Sequence, residues 1–286
     1  MKKFILYAGY LLLLPAFLLA EIRETTRFED LLEEADEQTL VLIDMDDTLT
    51  DSSISLGSSD WRHFLRKHFK RKIHPVAQID IHDYYSYLIA KKVPVKTVES
   101  NTAEVVDILQ KKKIATLCLT ARGQQQWYST TLLDIQELSQ QQLSSVGIDF
   151  KRSTLPDAFT GKEITGYADG MLFSANQPKG EFLKELFTKL GYTPKRVILI
   201  DDKEEQILSA EEAMKEMNIP FLGLWYRHIE EMKPDYNPQI GNVQLERFLQ
   251  DNTLLSDEEA ALVTPPLPPE EHLKQIIESQ YSVSSK

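Results

Sequence analysis

Short apolar runs alternate with amphipathic stretches along this chain. The runs at residues 40–43, 114–119, 197–200 and 221–226 are continuous and rich in branched or aromatic side chains. Such runs are typical of strands that are buried on both faces of a parallel sheet. The stretches between them have the spacing of helices. The order therefore predicts an α/β fold with a Rossmann-like, doubly wound parallel sheet.

Helix signals fill most of the intervals between these runs. The spacing of Thr26 with Glu29, and of Asn101 with Glu104, predicts capping boxes at two helix starts. Gly191 predicts the end of another helix. The predicted helices cover about 26–35, 101–113, 124–145, 179–190 and 204–217. Turn signals over 147–177 predict an irregular region or a hairpin, with a strand-like piece at 170–173.

Two parts of the chain differ from this pattern. Residues 52–96 contain a basic and aromatic helical stretch at 61–72 and a second aromatic group at 79–92, which predicts a small helical cap inserted into the core. The core would then consist of residues 21–51 and 97–250. Residues 251–286 include a proline-rich segment and predict a C-terminal tail with one short helix.

The first twenty residues have the composition of a secretory signal peptide. Lys2 and Lys3 precede an apolar run that ends at the small residue Ala20. We therefore expect an exported protein, periplasmic or secreted, with no stable membrane span after cleavage. The alternative is an uncleaved anchor, but the run is short for a bilayer and contains Pro15.

Composition and net charge limit the kinds of molecule that this protein is expected to bind. The 286 residues are 42% apolar, which supports a substantial core, and the formal net charge is -12. That charge argues against binding nucleic acid, because a phosphate backbone requires a concentrated basic patch. The negative net charge does not exclude a small phosphorylated substrate, because such a substrate needs only local positive charge. The single cysteine, Cys118, lies in an apolar run and predicts a buried strand residue, and the six histidines lack zinc-ligand spacing.

Polar residues that can act in catalysis or bind a metal ion follow three of the four apolar runs. Asp44 and Asp46 follow the first run, Thr120 follows the second, and Asp201 and Asp202 follow the third. In an open α/β sheet, ligands bind beyond the carboxyl ends of the strands. We therefore expect these side chains to converge on one crevice although they are distant in sequence.

Two other readings of the first acidic cluster are a solvated turn and a calcium-binding loop. A calcium loop that started at Asp44 would require glycine at its sixth position and glutamate at its twelfth. Those positions hold Leu49 and Ser55, which excludes the calcium loop. The distant acidic pair after the third run weighs against a solvated turn.

The order of these residues resembles the haloacid dehalogenase superfamily over about residues 40–228. The counterparts of its four motifs are, in order, the apolar run with Asp44-Met45-Asp46-Asp47-Thr48, then Thr120, then Lys179, then Asp201-Asp202. The first and fourth motifs together are specific for this superfamily. The second and third motifs are weak individually and support the resemblance only because they occur in the expected order. Lys162 and Lys184 are competing candidates for the third motif. The chain is similar to exported, uncharacterised bacterial phosphatases of this superfamily.

The resemblance implies a phosphoryl-transfer site that uses Mg²⁺. Asp44 would be the nucleophile that forms an aspartyl-phosphate. Asp44, the backbone carbonyl of Asp46 and Asp202 would hold the metal ion, with Asp202 ranked above Asp201 as a ligand. Asp201 would orient a water bound to the metal.

The remaining roles concern proton transfer and phosphate binding. Asp46 would act as general acid and then as general base, and the resemblance implies that members with this acid are mostly phosphatases or phosphomutases. Thr120 and Lys179 would hold the phosphoryl oxygens. Arg122 lies beside Thr120 and would add a contact to the phosphate or the substrate.

The sequence thus predicts Mg²⁺-dependent hydrolysis of a phosphate monoester through an intermediate on Asp44. One alternative is a phosphomutase or other phosphotransferase that uses the same residues. A second alternative, from a different class, is an exported binding or host-interaction protein that keeps the fold but has little turnover.

Overall fold

The computed structural model describes residues 20–75, 77–128, 131–232 and 236–283. The predicted signal peptide, apart from Ala20, lies outside the described residues. Within the described part of the chain, no helix is long and apolar enough to cross a membrane.

The strands of the central sheet run parallel, with one exception at an edge. In chain order the strands are β1 (Ala20–Thr25), β2 (Thr39–Ile43), β3 (Thr50–Ser52), β4 (Val95–Thr97), β5 (Ala115–Thr120), β6 (Gln125–Tyr128), β7 (Thr131–Asp134), β8 (Tyr167–Ala168), β9 (Met171–Phe173), β10 (Arg196–Asp201) and β11 (Phe221–Tyr226). The described residues form a seven-stranded sheet in the order β1-β11-β10-β2-β5-β9-β8. Only β8 and β9 are antiparallel neighbours in that sheet.

The helices lie between and after these strands. In chain order they are α1 (Asp30–Glu34), α2 (Ser59–Phe69), α3 (Ile81–Ala90), α4 (Thr102–Lys111), α5 (Ile135–Ser145), α6 (Lys179–Leu190), α7 (Glu204–Glu216), α8 (His228–Met232), α9 (Pro238–Asp251), α10 (Asp257–Ala261) and α11 (Pro269–Val283). Single 3₁₀ turns occur at Phe150–Arg152 and Asp157–Phe159.

The central strand β2 is buried on both faces and shows how the sheet is covered. Val41 and Ile43 belong to a hydrophobic core that includes residues of α1, α4 and α5. Leu40 and Leu42 belong to a second core that includes residues of α6 and α7. Successive strand residues point to opposite faces, so both faces of the sheet carry helices. The predicted doubly wound α/β fold is confirmed.

The inserted segment leaves and re-enters the core through a two-stranded stalk. β3 pairs antiparallel with β4, with Thr50 opposite Thr97. Between these strands, α2 and α3 form a third hydrophobic cluster that contains the fully buried side chains of Trp61 and Tyr85. This cluster also includes residues of α9 and α11, among them Leu245 and Ile277.

The prediction of a C-terminal tail with one short helix is wrong. The described residues after 251 contain both α10 and α11, and Leu273, Ile276 and Ile277 are buried in the third cluster. The Trp61 indole donates to Asn242 Oδ1 at 3.3 Å, and a Cβ on Gly241 would lie 2.3 Å from that ring. The C-terminal helices therefore pack directly against the insertion.

Three further predictions need correction. Residues 124–145 do not form one helix, because the antiparallel pair β6–β7 precedes α5. Strand β1 had no apolar run to indicate it, although it pairs with β11 at the sheet edge. Neither predicted capping box forms, since α1 begins after Glu29 and α4 after Asn101, both without a side-chain cap. The irregular stretch that ends in the β8–β9 hairpin agrees with the prediction.

Candidate active site

Strand register places three of the predicted residues next to one another. β2 lies between β10 and β5, with Ile43 opposite both Ile200 and Cys118. Asp44 follows directly and donates its backbone N–H to the Ile200 carbonyl at 3.0 Å. Asp201 and Thr120 end the two neighbouring strands. The structure therefore brings the three strand ends to one crevice, at the point where the strand order of the parallel sheet reverses.

Lys179 joins two of these carboxylates. Its ammonium group lies 2.5 Å from Asp44 Oδ1 and 2.5 Å from Asp201 Oδ2, and the residue is 1% exposed. Burial alone would lower the pKa of Lys179, but the carboxylates of Asp201 and Asp44 outweigh it and raise that pKa. Lys179 is thus a fixed cation between two acids.

The start of α6 explains how Lys179 reaches this position. A Cβ on Gly180 would lie 1.9 Å from the Ser209 carbonyl, so glycine allows α6 and α7 to meet. The competing lysines lie elsewhere. Lys162 donates to the Leu190 carbonyl at 3.2 Å, and Lys184 is exposed and pairs with Glu216.

Asp44, Asp201 and Asp202 form an acidic group with the geometry of a cation site. Each offers a carboxylate oxygen, and these oxygens all lie within 4.8 Å of one another. Burial, followed by the charges of Asp201 and Asp202, raises the pKa of Asp44 despite the opposing charge of Lys179. Hard oxygen ligands that repel one another suit a small divalent cation. The residues present therefore fit a metal ion of the Mg²⁺ type.

Asp202 also has a raised pKa. Burial and the nearby Asp47 carboxylate raise its pKa to about 7, although Lys203 pairs with it and acts in the opposite direction. One oxygen of Asp201 already accepts from Lys179, and the other accepts from the Lys203 backbone N–H at 2.9 Å. The ranking of Asp202 above Asp201 as a metal ligand stays a prediction.

Asp46 forms a two-point ion pair with Arg122. Arg122 Nε and Nη2 lie 2.9 and 2.7 Å from the two oxygens of Asp46. Burial alone would raise the pKa of Asp46, but the charge and hydrogen bonds of Arg122 lower it to about 2. Asp46 is therefore a carboxylate at neutral pH in this conformation. The structure places Arg122 on Asp46, whereas the sequence predicts a phosphate or substrate contact for it.

Thr120 contributes to the position of Arg122. Its hydroxyl oxygen accepts from the Arg122 backbone N–H at 3.2 Å, and the residue is buried. The predicted contact between Thr120 and a phosphoryl oxygen stays a prediction.

The insertion supplies a residue that the sequence analysis did not single out. Arg62, on α2, places Nη2 3.0 and 3.2 Å from the two oxygens of Asp47 and Nη1 3.7 Å from Asp46. Asp47 is buried, with a left-handed backbone at φ 66°. In the sequence, Arg62 is one of several basic residues in the stretch 61–72, whose pattern is typical of a solvated helix face. No sequence signal separates it from its neighbours.

The charges of the site nearly cancel without a metal ion. Within the described part of the chain, five carboxylates face four cations: Asp44, Asp46, Asp47, Asp201 and Asp202 against Arg62, Arg122, Lys179 and Lys203. A divalent cation would make the group net positive, which favours a phosphate dianion.

A cavity of about 490 Å³ opens beside these residues, between the insertion and the core. Asp46, Arg62 and Arg122 line it, together with Tyr87 of α3. Its volume is that of a pocket for a small molecule. Asp44 is 6% exposed and is not among the residues that line this cavity.

Cys118 is not a candidate nucleophile. It is fully buried in β5, and burial raises the pKa of its thiol. A thiol that holds its proton at neutral pH is a poor nucleophile and a poor metal ligand. The sequence prediction of a buried strand residue is confirmed.

Comparison with known families gives one match over most of the chain. The sequence model of the family described as "Protein of unknown function (DUF2608)" matches residues 22–261 of this chain. Two relatives are each named "Putative outer membrane protein". The one from Chlamydia trachomatis serovar D is 25% identical over 232 residues, covering 78% of this chain and 81% of the relative. The one from Chlamydia muridarum is 26% identical over 231 residues, with the same coverage.

Solved structures show weaker likeness. A "putative beta-phosphoglucomutase" from Thermotoga maritima is 13% identical, with a TM-score of 0.36 over 69% of this chain and 100% of its own. A HAD family hydrolase from Deinococcus radiodurans R1, with bound phosphate and sodium, is 12% identical, with a TM-score of 0.36 over 80% of this chain and 100% of its own. At these TM-scores the likeness says nothing about the activity of this chain.

Proposed function

This chain belongs to the family described as "Protein of unknown function (DUF2608)", and we propose that it is a Mg²⁺-dependent phosphatase that hydrolyses a phosphate monoester. The observation that carries the proposal is the group formed by Asp44, Lys179, Asp201 and Asp202 at the carboxyl ends of the sheet. It combines a carboxylate nucleophile, a fixed cation and a site for a metal ion.

Each chemical step has a residue to perform it. Asp44 attacks the phosphorus atom, and the P–O bond to the leaving group breaks as the aspartyl-phosphate forms. Asp46 gives a proton to the departing oxygen, then takes one from the water that attacks the phosphorus of the intermediate. That second attack returns Asp44 as a carboxylate and releases inorganic phosphate.

Lys179 and the metal ligands stabilise charge in this scheme. Lys179 is already 2.5 Å from Asp44 and would offset the negative charge that develops on the phosphoryl oxygens. Asp44, Asp202 and the backbone carbonyl of Asp46 would hold Mg²⁺, which when bound neutralises charge between nucleophile and phosphate.

Arg122 and Arg62 have to change partners during the reaction. Asp46 cannot carry a proton while Arg122 holds both of its oxygens at 2.7 and 2.9 Å. An arriving phosphate offers a guanidinium group a dianionic, two-point partner. We propose that the phosphate draws Arg122 away from Asp46 and Arg62 away from Asp47, which also opens the way to Asp44.

The insertion acts as a cap in this proposal. Its support is that Arg62 of α2 pairs with Asp47 and that residues of α2 and α3 line the cavity. A cap of this kind excludes water and selects the leaving group by shape. The cavity of about 490 Å³ favours a small phosphorylated molecule as the substrate.

We also propose that the protein is exported, either to the periplasm or out of the cell. The support is the signal-like composition of residues 1–20 and the names of the chlamydial relatives. Mass spectrometry of the N-terminal peptide, on protein recovered from its native compartment, tests this. We expect the mature chain to begin near Ala20.

The test of the activity is a generic aryl phosphate assay with and without a chelator. We expect turnover in Mg²⁺, its loss in chelator, and its return when Mg²⁺ is added back. Metal-dependent turnover with transfer of phosphate to a second sugar phosphate would favour the phosphomutase alternative. A folded protein without turnover on a broad panel of phosphate esters would contradict the proposal and favour the binding alternative.

Mg²⁺ is expected to stabilise the fold more at pH 8 than at pH 5. The folded-state pKa of Asp202 is raised to about 7 from an ordinary value of 3.8. The stability that its protonated form contributes is complete below the ordinary pKa and is lost as pH rises through 7. Mg²⁺ binds the carboxylate and competes with that proton, so binding strengthens as pH rises.

The measurement is the rise in Tm on adding Mg²⁺ at the two pH values, with KCl at equal ionic strength as the control. In Asp202→Asn the rise should be smaller at both pH values and should depend less on pH, with the remaining dependence coming from Asp44, whose pKa burial also raises. An equal rise at both pH values in the wild-type protein would contradict this assignment of Asp202.

A further inference from the structure

One side chain of the core joins Arg122 to the inserted segment. Gln142, on α5, accepts from Arg122 Nη1 at 2.7 Å through its amide oxygen. Its amide nitrogen donates to the Ala90 carbonyl at 3.0 Å. Ala90 is the last residue of α3, so its carbonyl is one of those that a helix end leaves without an intrahelical donor. Gln142 thus forms hydrogen bonds with both the C-terminal end of α3 in the insertion and the guanidinium group of Arg122 in the site.

The chemistry of these contacts fixes the orientation of the amide. Ala90 offers only a carbonyl acceptor, and Arg122 offers only donors. The oxygen of Gln142 must therefore face Arg122 and the nitrogen must face Ala90. Gln142 is 8% exposed, so an unmatched contact would be costly. Methionine has a similar length and supplies neither contact.

Arg122 is held on three sides by this arrangement. Its Nη1 also donates to Ser139 Oγ at 2.9 Å, while Nε and Nη2 hold Asp46. Of the five N–H bonds of the guanidinium, these contacts use four. Among the described residues, the fifth N–H, on Nη2, has no hydrogen-bond acceptor.

A second contact crosses the same boundary from the other helix of the insertion. Arg62 of α2 lies 3.7 Å from Asp46, as an ion pair and not a hydrogen bond. Asp46 therefore has two connections to the insertion. One runs directly to α2, and the other runs through Arg122 and Gln142 to the end of α3.

We infer that Gln142 is a positioning residue that couples the location of the insertion to the guanidinium of Arg122, and through it to Asp46. When the end of α3 shifts, Gln142 shifts with it and changes the restraint on Arg122. The insertion is then more than a cover, because its position sets when Arg122 can leave Asp46. This inference rests on the proposed function for its catalytic consequence, but the link itself can be measured without turnover.

The kinetic test compares Gln142→Met with Ser139→Ala. Both variants remove one partner of Arg122 Nη1, but only the first also cuts the link to α3. We expect Gln142→Met to lower kcat about tenfold or more, with KM changed less than about twofold, because displacement of a catalytic group by about 1 Å has effects of this order. Ser139→Ala should have a much smaller effect. A change in KM with kcat retained would overturn the inference, since it would make Gln142 a simple substrate contact.

Gln110→Met is the matched control for loss of a buried glutamine. Gln110 is 7% exposed on α4 and donates to the Asp149 carbonyl at 2.8 Å and to Ser153 Oγ at 3.0 Å, away from the site. It should lose comparable thermal stability and keep its kcat. Equal kcat values in Gln142→Met and Gln110→Met would overturn the inference.

Hydrogen exchange separates this inference from the proposed function. The Lys91 and Val93 amides, just after Ala90, donate to the carbonyls of Tyr87 and Ile89. Without substrate, these two amides should exchange faster in Gln142→Met than in wild type or Gln110→Met. Faster exchange in a protein with no turnover supports the link and contradicts the phosphatase. Unchanged exchange in an active enzyme contradicts the link alone.

Discussion

Asp44→Asn is expected to remove turnover almost completely, by about a thousandfold or more, while the protein stays folded. Loss of a group that forms the covalent intermediate has effects of this order or larger. An amide keeps the shape of the carboxylate, and its oxygen can still accept from Lys179, now 2.5 Å from Asp44 Oδ1. It cannot attack phosphorus. The measurement is kcat for an aryl phosphate in Mg²⁺, with circular dichroism to check the fold.

The matched control is an aspartate at the opposite end of the same strand. Asp36 precedes β2 and accepts from Thr39 Oγ1 at 2.8 Å, on an exposed turn. Asp36→Asn should retain wild-type turnover. If Asp44→Asn hydrolyses the aryl phosphate as fast as Asp36→Asn does, Asp44 is not the nucleophile.

Lys179→Met is expected to cost the metal-free protein about 3 to 5 kcal/mol in free energy of unfolding, in addition to its turnover. Removing one partner of a buried ion pair leaves the other charges uncompensated, and losses of this size are usual. Here two carboxylates, Asp44 and Asp201, lose their shared cation. The loss should be smaller at pH 5 than at pH 8, because burial raises the pKa of Asp44 and acid therefore protonates that stranded carboxylate.

Mg²⁺ should restore part of the stability that Lys179→Met loses, since a metal ion brings positive charge to the same oxygens. The measurement is urea unfolding with and without Mg²⁺ at both pH values. Lys184→Met is the control on the same helix, because Lys184 is exposed and pairs with Glu216 at the surface. Equal unfolding free energies in the two variants would contradict a structural role for the buried lysine.

The parts of the fold that sequence predicts well are those with local causes. Residues 40–43 and 197–200 are continuous apolar runs, and such runs become buried parallel strands wherever they lie in the sheet. Their polar ends then meet by strand register alone. This is why the sequence alone predicts that Asp44, Asp201 and Thr120 lie close together.

The parts that sequence does not predict depend on distant partners. β1 has a polar sequence, and it is a strand because β11 offers it an edge. The sequence of α11 predicts a tail because the apolar surface that it covers belongs to α9 and to the insertion, which is far away in the sequence. Periodicity within a segment carries no information about either partner.

The charge pairs of the site show the same limit. Sequence indicates that Arg122 is close to Thr120, but not that its guanidinium holds Asp46. It gives no reason to select Arg62 from a basic helix face. The Arg122 pairing follows from the contact between β5 and β2, and the Arg62 pairing from where the insertion folds back over the core. Both are tertiary contacts. These two arginines therefore give the structure its main addition to the predicted mechanism.

The most direct test of the phosphatase proposal is chemical trapping of the intermediate. The wild-type protein is mixed with Mg²⁺ and an aryl phosphate, denatured in acid during turnover, digested and examined by mass spectrometry. The mechanism predicts a phosphoryl group on the peptide that contains Asp44, absent in Asp44→Asn and when the chelator is present. Steady turnover by the wild-type protein with no phosphoryl group on that peptide, or with the group on another residue, would contradict it.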